Sequence, residues 1–249
     1  MNRGEFSEQV LVLKVGTFRE IDCWVRFFSP SRGIMTGFAF GGCKSRRRFS
    51  GCLDELNHVW FRISSSRNGG YFILNEGTLL NRFPQLHQNL HRLGMAVNCL
   101  KFLEAAHIGH GDAERVFDVF YRTLLLLDQE DRVPAQLPLL FRARLACEYG
   151  YRPDFSRCIA CGRLLEDSET VFFQGYDGRV LCRSCSRQGD EGQPLTFDAS
   201  RYLQNLLNAG PEAWLQTPEP LEWTSEMWGV LDSFVQTHMG LSWEQGRFR

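Results

Sequence analysis

Four cysteines fall in two pairs, Cys158/Cys161 and Cys182/Cys185, with twenty residues between the pairs. Two thiolates two residues apart on a tight turn supply adjacent corners of a tetrahedron, and a second such turn closes it around Zn2+ with Zn–S bonds of about 2.3 Å. All four ligands come from the chain, so no coordination position is left for water or substrate, and the expected cofactor is one structural zinc ion. Buried free thiols or a redox pair are the competing readings. A thioredoxin-like site, however, needs a single CxxC in a βαβ context, and none is apparent. Gly162 can take the left-handed conformation that such a knuckle needs, and Tyr176-Asp177-Gly178-Arg179 reads as a hairpin turn between Val171-Phe172-Phe173 and Val180-Leu181. The expectation is a zinc finger over about 155–186.

The second constellation is cationic. Lys44-Ser45-Arg46-Arg47-Arg48 follows Gly41-Gly42, and a loop of this kind at a barrel rim is suited to contact a phosphate backbone. Arg26, Arg32 and Arg62 lie in neighbouring segments, as do Trp24, Phe27, Phe38 and Trp60. The bland alternative is a solvated loop, and strand alternation requires many of those aromatics to face a core. Catalytic constellations are scarce. His87/His91 and His107/His110 lack a carboxylate at zinc spacing, and no GxSxG, phosphate-binding P-loop or HExxH motif occurs, so no enzyme is expected.

These residues must be held by elements whose pattern changes along the chain. Gln9–Val15, Cys23–Phe28, Ile34–Phe40, Leu56–Ile63 and Tyr71–Glu76 are short β-branched and aromatic runs joined by turn residues, as in a small Greek-key barrel of the OB type, with an SH3-like barrel as the alternative. After Pro84 the period shifts to about 3.6. One helix is expected over 84–106, a second from Asp112 through Leu127, and a third over Leu139–Tyr149 ending at Gly150. Beyond the finger, 187–193 reads as a polar linker, and two further helices precede Gly240. The fold class expected is therefore multi-domain α and β: an OB-fold β-barrel over 1–80, then an α-helical bundle over 81–249 with the four-cysteine zinc finger inserted.

Composition agrees with a globular protein, 43% of its 249 residues being apolar. The opening residues, MNRGEFSEQV, contain no apolar run of signal-peptide type and no membrane span is evident, so a cytosolic protein is expected, in which Cys23, Cys43, Cys52, Cys99 and Cys147 stay reduced. The net charge of −1 hides a polarity: residues 1–80 hold eleven Lys/Arg against seven Asp/Glu, and the remainder 17 against 22. The front of the chain is the part that tolerates a polyanion.

Taken in order, Val10-Leu11-Val12-Leu13 leading to Arg19-Glu20-Ile21-Asp22, Phe28-Ser29-Pro30-Ser31-Arg32-Gly33, Gly42-Cys43-Lys44-Ser45-Arg46, Leu137-Pro138-Leu139-Leu140-Phe141-Arg142, Leu145–Tyr151 and the four-cysteine finger resemble the RecO family of bacterial recombination mediators over nearly the whole chain. The resemblance implies an OB barrel followed by a helical domain with a zinc finger, binding of single- and double-stranded DNA, and annealing of complementary strands. It also implies partnership with RecR and with the C-terminal tail of single-stranded DNA-binding protein, and a part in loading RecA onto coated DNA. Family members often carry Gly-Gly where Asp177-Gly178 stands. With few lysines in the helical half, an acidic tail would have to rely on Arg115, Arg122, Arg142 or Arg144. An adaptor whose DNA contact is incidental is the reading from a different class.

Overall fold

The computed structural model describes residues 4–45, 47–109, 111–166, 169–175, 178–186, 192–216 and 224–248. The expected strands form, most with longer ends: β1 (Glu5–Thr17), β2 (Cys23–Ser29), β3 (Gly33–Ala39), β4 (His58–Ser65) and β5 (Phe72–Asn81). They close into a barrel in the order β1-β2-β3-β5-β4, with β4 pairing back onto β1. Only β3 and β5 run parallel. Closure removes the unpaired edges that five short strands would otherwise present. Alternate residues point inward, so Val10, Val12, Val25, Phe27, Val59, Phe61, Ile63 and Leu74 fill the interior.

Leu11 belongs to the other face of β1, between Phe28 and His58 on the neighbouring strands. That outer face is buried too. Phe28 lies 5.4 Å from the Phe117 ring and His58 4.6 Å from that of Tyr121, both on the helix α3 described next. This explains why four consecutive residues, Val10 to Leu13, are all buried although a strand has only one face toward a barrel interior.

The single helix expected over 84–106 is two: α1 (Pro84–Gln88) and α2 (Leu90–Ala105). Asn89 is extended, with φ −112° and ψ 105°. Its side-chain oxygen accepts from the backbone N–H groups of His91 and Arg92 at 3.1 and 3.2 Å, which makes it the N-terminal cap of α2 and breaks the helix there. α3 (Ala113–Gln129) starts directly after Asp112, as its sequence pattern indicates.

The chain divides into two compact units. The first comprises 1–93 and 107–128, that is, the barrel with α1 and almost all of α3; the second comprises 94–106 and 129–249. The second contains α4 (Leu137–Glu148), the strands β6 (Thr170–Gln174), β7 (Arg179–Cys182) and β8 (Gln193–Thr196), the helices α5 (Phe197–Asn208), α6 (Ala213–Gln216) and α7 (Thr224–Met239), and a terminal hairpin of β9 (Trp243–Glu244) and β10 (Arg247–Phe248). The expected linker over 187–193 is corrected at its end: Gln193 opens β8, which pairs with β6 in a three-stranded sheet of order β7-β6-β8. A four-residue edge strand containing Pro194 has no period to read, and proline is tolerated there because an edge strand can leave a donor unmade. Residues 187–191 lie outside the described set.

Arg144 ties α4 to the end of α5. Its guanidinium donates to Glu148 Oε1 from Nε (2.8 Å) and Nη2 (2.5 Å), and from Nη1 to the carbonyls of Leu207 (3.0 Å) and Ala209 (2.8 Å). Both charged side chains are shielded, at 15% and 7% exposure. Arg144→Ala removes a buried charge-assisted pair with Glu148 and the donors of the Leu207 and Ala209 carbonyls, and we expect a loss of about 3 kcal/mol in urea denaturation.

His58 gives a pH signature. Burial lowers its pKa from 6.5 to about 4. Between these values the unfolded chain binds a proton that the folded chain does not, so stability falls as pH drops from 6.5 toward 4 and is insensitive to this group above it. Urea midpoints of the protein and of His58→Phe at pH 7.5 and pH 5 should show a smaller loss at pH 5 for the variant.

Candidate nucleic-acid interface and metal centre

The segment joining β3 to β4 carries the basic run, and it is anchored. Phe49 enters the barrel interior, its ring 6.3 Å from that of Phe61, and Cys52 follows it into the same core. The Arg48 carbonyl accepts from Gly77 N–H of β5 at 2.7 Å. A Cβ on Gly77 would stand 2.7 Å from the Phe61 ring, so glycine is required for this approach. Arg48 itself donates from Nη2 to the Phe40 carbonyl (2.5 Å) and from Nη1 to that of Asn75 (3.4 Å). The run therefore stands on a buried aromatic plug, with Lys44, Arg47 and Arg48 exposed around it. Arg46 lies outside the described residues.

A second tether holds the start of this segment against the β1–β2 loop. Gly41, at φ 68°, donates its N–H to Asp22 Oδ1 at 2.7 Å, and Cys43 N–H donates to the Ile21 carbonyl at 3.1 Å. Of the five remaining cysteines, expected to stay reduced, Cys52, Cys99 and Cys147 are free and buried. Burial pushes the thiols of Cys99 and Cys147 up to about 12 and about 11, so they are inert packing groups. The expectation is corrected for Cys23 and Cys43, which form a disulfide. β2 pairs Cys23 with Ala39, and the turn at Gly41-Gly42 brings Cys43 back until the two Cα atoms are 6.0 Å apart, a separation that a disulfide spans. Spacing along the chain carries no trace of that return.

The remaining expected contacts are dispersed. Arg26 is half-buried on β2, opposite Lys14 and Thr36. Arg32 is exposed, with its guanidinium 4.2 Å from the Phe6 ring. Arg62 is on β4 and bridges Glu5 and Glu76, each at 3.3 Å, so its charge is already countered. Of the four aromatics singled out, Phe27 is fully buried, and Trp60 is exposed on β4, two strands from β3. Trp24 and Phe38 are direct cross-strand neighbours on the outer face of β2 and β3. The Trp24 indole covers Gly16, where a Cβ would come within 2.3 Å of it.

Sequence reasoning missed Phe18, Arg19, Phe40 and Tyr71. The three rings lie beside Phe38, with Phe18–Phe38, Phe38–Phe40 and Phe38–Tyr71 centroids 5.2, 6.3 and 5.4 Å apart, and the Arg19 guanidinium lies over Phe18. The available signal was an aromatic residue next to a turn, as at Phe40-Gly41-Gly42 and Gly69-Gly70-Tyr71, where no strand position faces the core.

The four finger cysteines converge. Their Sγ atoms all lie within 4.8 Å of one another. The Cys161–Cys182 Sγ separation is 3.9 Å, against about 3.8 Å for the edge of a tetrahedron with 2.3 Å bonds. Each knuckle is a tight turn: Gly162, at φ 73°, donates to the Cys158 carbonyl at 2.8 Å, while Cys185 and Ser186 donate to that of Cys182, both at 3.0 Å. Ile159 N–H donates to Val180 O at 3.0 Å and joins the first knuckle to β7. At Cys182 burial opposes ionisation, but hydrogen bonds from the Ser184 hydroxyl, Arg163 and Cys185 outweigh it and draw the pKa down to about 5. Cys158, Cys161, Cys182 and Cys185 could hold one metal ion between them, and a set of four thiolates would suit zinc, leaving no position open for water or substrate. The turn at Tyr176-Asp177 lies outside the described residues, but β6 and β7 on either side pair antiparallel as expected.

Against this geometry, two family models cover the chain: Recombination protein O N terminal over residues 1–83 and Recombination protein O C terminal over residues 87–246. The chain belongs to the RecO family. Among its relatives, DNA repair protein RecO of Oleidesulfovibrio alaskensis is 45% identical over 250 residues, covering 98% of this chain and 99% of that protein. RecO of Solidesulfovibrio magneticus is 44% identical, with 98% of each chain covered. RecO of Maridesulfovibrio salexigens is 38% identical, over 98% of this chain and 99% of the other. Among the described residues no helix is long and apolar enough to cross a membrane.

Metal analysis of the purified protein should return one zinc per chain. Cys158→Ser should lose it and unfold at lower temperature, since the ligands of a closed site fold only around their ion.

Proposed function

We propose that this protein is a DNA repair and recombination mediator. In this reading, residues 1–80 are an OB-type barrel that binds single- and double-stranded DNA, and the helical remainder with its zinc finger carries the protein contacts. Complementary strands are annealed on the basic surface. RecR and the tail of single-stranded DNA-binding protein are the partners, and RecA is loaded onto the coated strand. It acts in the bacterial cytosol and is not an enzyme.

The observation that carries this reading is the anchored basic segment of a closed five-stranded barrel in a chain of the RecO family. The order β1-β2-β3-β5-β4, with β3 and β5 parallel, supports the OB assignment. Lys44, Arg47 and Arg48, together with Arg46, would neutralise phosphates in a way that does not depend on sequence, as annealing requires. Arg26 and Arg32 would extend that surface along β2 and the β2–β3 turn. Arg62 would contribute least, being held by two carboxylates. Among the arginines considered for an acidic tail, Arg144 is committed to Glu148 and two carbonyls, and Arg115 and Arg122 pair with Asp112 and Asp118. Arg142 is committed too, donating to the Pro138 carbonyl at 3.0 Å and lying 4.0 Å from Asp232 at 17% exposure, whereas the Arg115 side chain, at 58%, is the most open of the four.

Ile159 and Leu164, at 52% and 57% exposure on the finger, support the adaptor reading as well, because apolar side chains at a rigid metal knuckle suit a protein partner. Replacing Lys44, Arg47 and Arg48 together by Ala separates the two readings. For a DNA-binding mediator, the salt slope of single-strand affinity should fall by about 2, three contacts at about 0.7 each, and fluorescence-monitored annealing of complementary oligonucleotides should slow. Unchanged affinity at low salt would leave the adaptor.

A further inference from the structure

We infer that Phe18, Phe38, Phe40 and Tyr71 form a base-stacking platform that makes an unpaired strand, in preference to a duplex, the ligand of the barrel. The inference rests on the reading above that the barrel binds DNA. The platform is assembled from three separate places: Phe18 follows β1, Phe38 and Phe40 lie on and just after β3, and Tyr71 precedes β5. Their rings form one cluster. Phe18 and Phe40 are 6.3 Å apart, Phe40 and Tyr71 are 6.4 Å apart, and Phe38 touches all three others at aromatic distance.

None of these rings fills the barrel, whose interior is occupied by Phe27, Phe49 and Phe61. Phe18, Phe40 and Tyr71 remain 39%, 36% and 44% exposed, so π-faces that could have been buried stand in water. An exposed contiguous aromatic surface of this kind marks a binding site.

Charge identifies the occupant. The Arg19 guanidinium lies 5.3 Å from the Phe18 ring, Arg48 is hydrogen-bonded to the Phe40 carbonyl, and Lys44 and Arg47 are exposed on the same segment. Of the nearby carboxylates, Asp22 is buried and holds the Gly41 N–H, while Glu20 is exposed. An apolar floor with a cationic rim complements a chain of phosphates whose bases are free to leave the stack. A duplex offers the phosphates but hides the base faces.

Space is provided as well. An open groove of about 490 Å³ is lined by Phe38 and Tyr71 together with Arg32, Thr36, Gly69 and Gly70. Nothing stands within 4 Å of where a Cβ on Gly69 or Gly70 would be, so the two glycines leave the lining low there. Tyr71 also borders a polar groove of about 370 Å³ lined by Ser64, Ser66, Asn68 and Asn75. Tyr71 thus lines both an apolar groove suited to bases and a hydroxyl- and amide-rich groove suited to sugar and phosphate.

The test uses the full chain, a 20-nucleotide oligo-dT and a blunt duplex of the same length, with fluorescence anisotropy at several salt concentrations. Phe40→Ala and Tyr71→Ala should each weaken oligo-dT binding at least about fivefold, the low end of what one stacked base contributes. Duplex affinity should change less than twofold and the salt slope should stay as it was. Tyr71→Phe should bind like the unaltered protein, and Tyr71→Leu, which keeps apolar area without a π-face, should bind like Tyr71→Ala. Thermal melts guard against loss of fold. Equal losses on both ligands, or no loss on either while removal of Lys44, Arg47 and Arg48 still weakens binding, would overturn the platform and leave the DNA-binding reading standing. An unaltered protein that binds neither oligonucleotide would overturn both.

Discussion

Closure of the five strands is the constraint on which the first unit depends. Once β4 pairs with β1, every strand has an inside and an outside, and the inside must be apolar because no water reaches it. Phe27, Phe61, Val25 and Ile63 are thereby committed to packing. Only the alternate residues, with the turns, are free to meet a ligand. The outer face is divided in turn: Phe28, Leu11 and His58 are buried there, whereas Trp24, Arg26, Thr36 and Phe38 are left on β2 and β3. Function is confined to what closure leaves over.

The basic segment illustrates how a polar loop acquires geometry. Four cations in five residues would repel one another and sample many conformations if they were tethered only at their ends. Phe49 and Cys52 change this by adding buried side chains immediately after the charges, and the Gly77 N–H and the Cys23–Cys43 disulfide fix both sides. Burial of one ring thus positions charges that gain nothing from burial themselves. The finger in the second unit follows the same logic with a different bond. There the sheet of β6 and β7 holds two tight turns in register, with Phe155, Val171, Phe173 and Val180 buried beneath them, so that four thiols converge.

Several elements were legible because one local rule governed them. The strands showed period-two runs between turn residues, the start of α3 showed Asp112 ahead of an apolar stripe, and the finger showed its ligand spacing. Others were not legible because two rules competed. Across 84–106 the apolar period continued through Asn89, and a side-chain cap outweighed it. β8 is too short to have a period, and the terminal hairpin of two-residue strands gives none either. The disulfide and the aromatic cluster required contacts between segments far apart in the chain, which no window of sequence contains.

By itself, the sequence determined the cysteine tetrad, the five barrel strands, the start of α3, the charge polarity and the resemblance to RecO. Each of these is written in residue type and spacing along one stretch of chain. Only the tertiary structure decided which arginines keep an unopposed charge, which aromatics face water, and that Phe18, Phe38, Phe40 and Tyr71 share one surface. The physical reason is that burial and ion pairing are properties of neighbours in space. Arg62 and Arg47 are alike as residues, and they differ because Glu5 and Glu76 were folded against one and not the other.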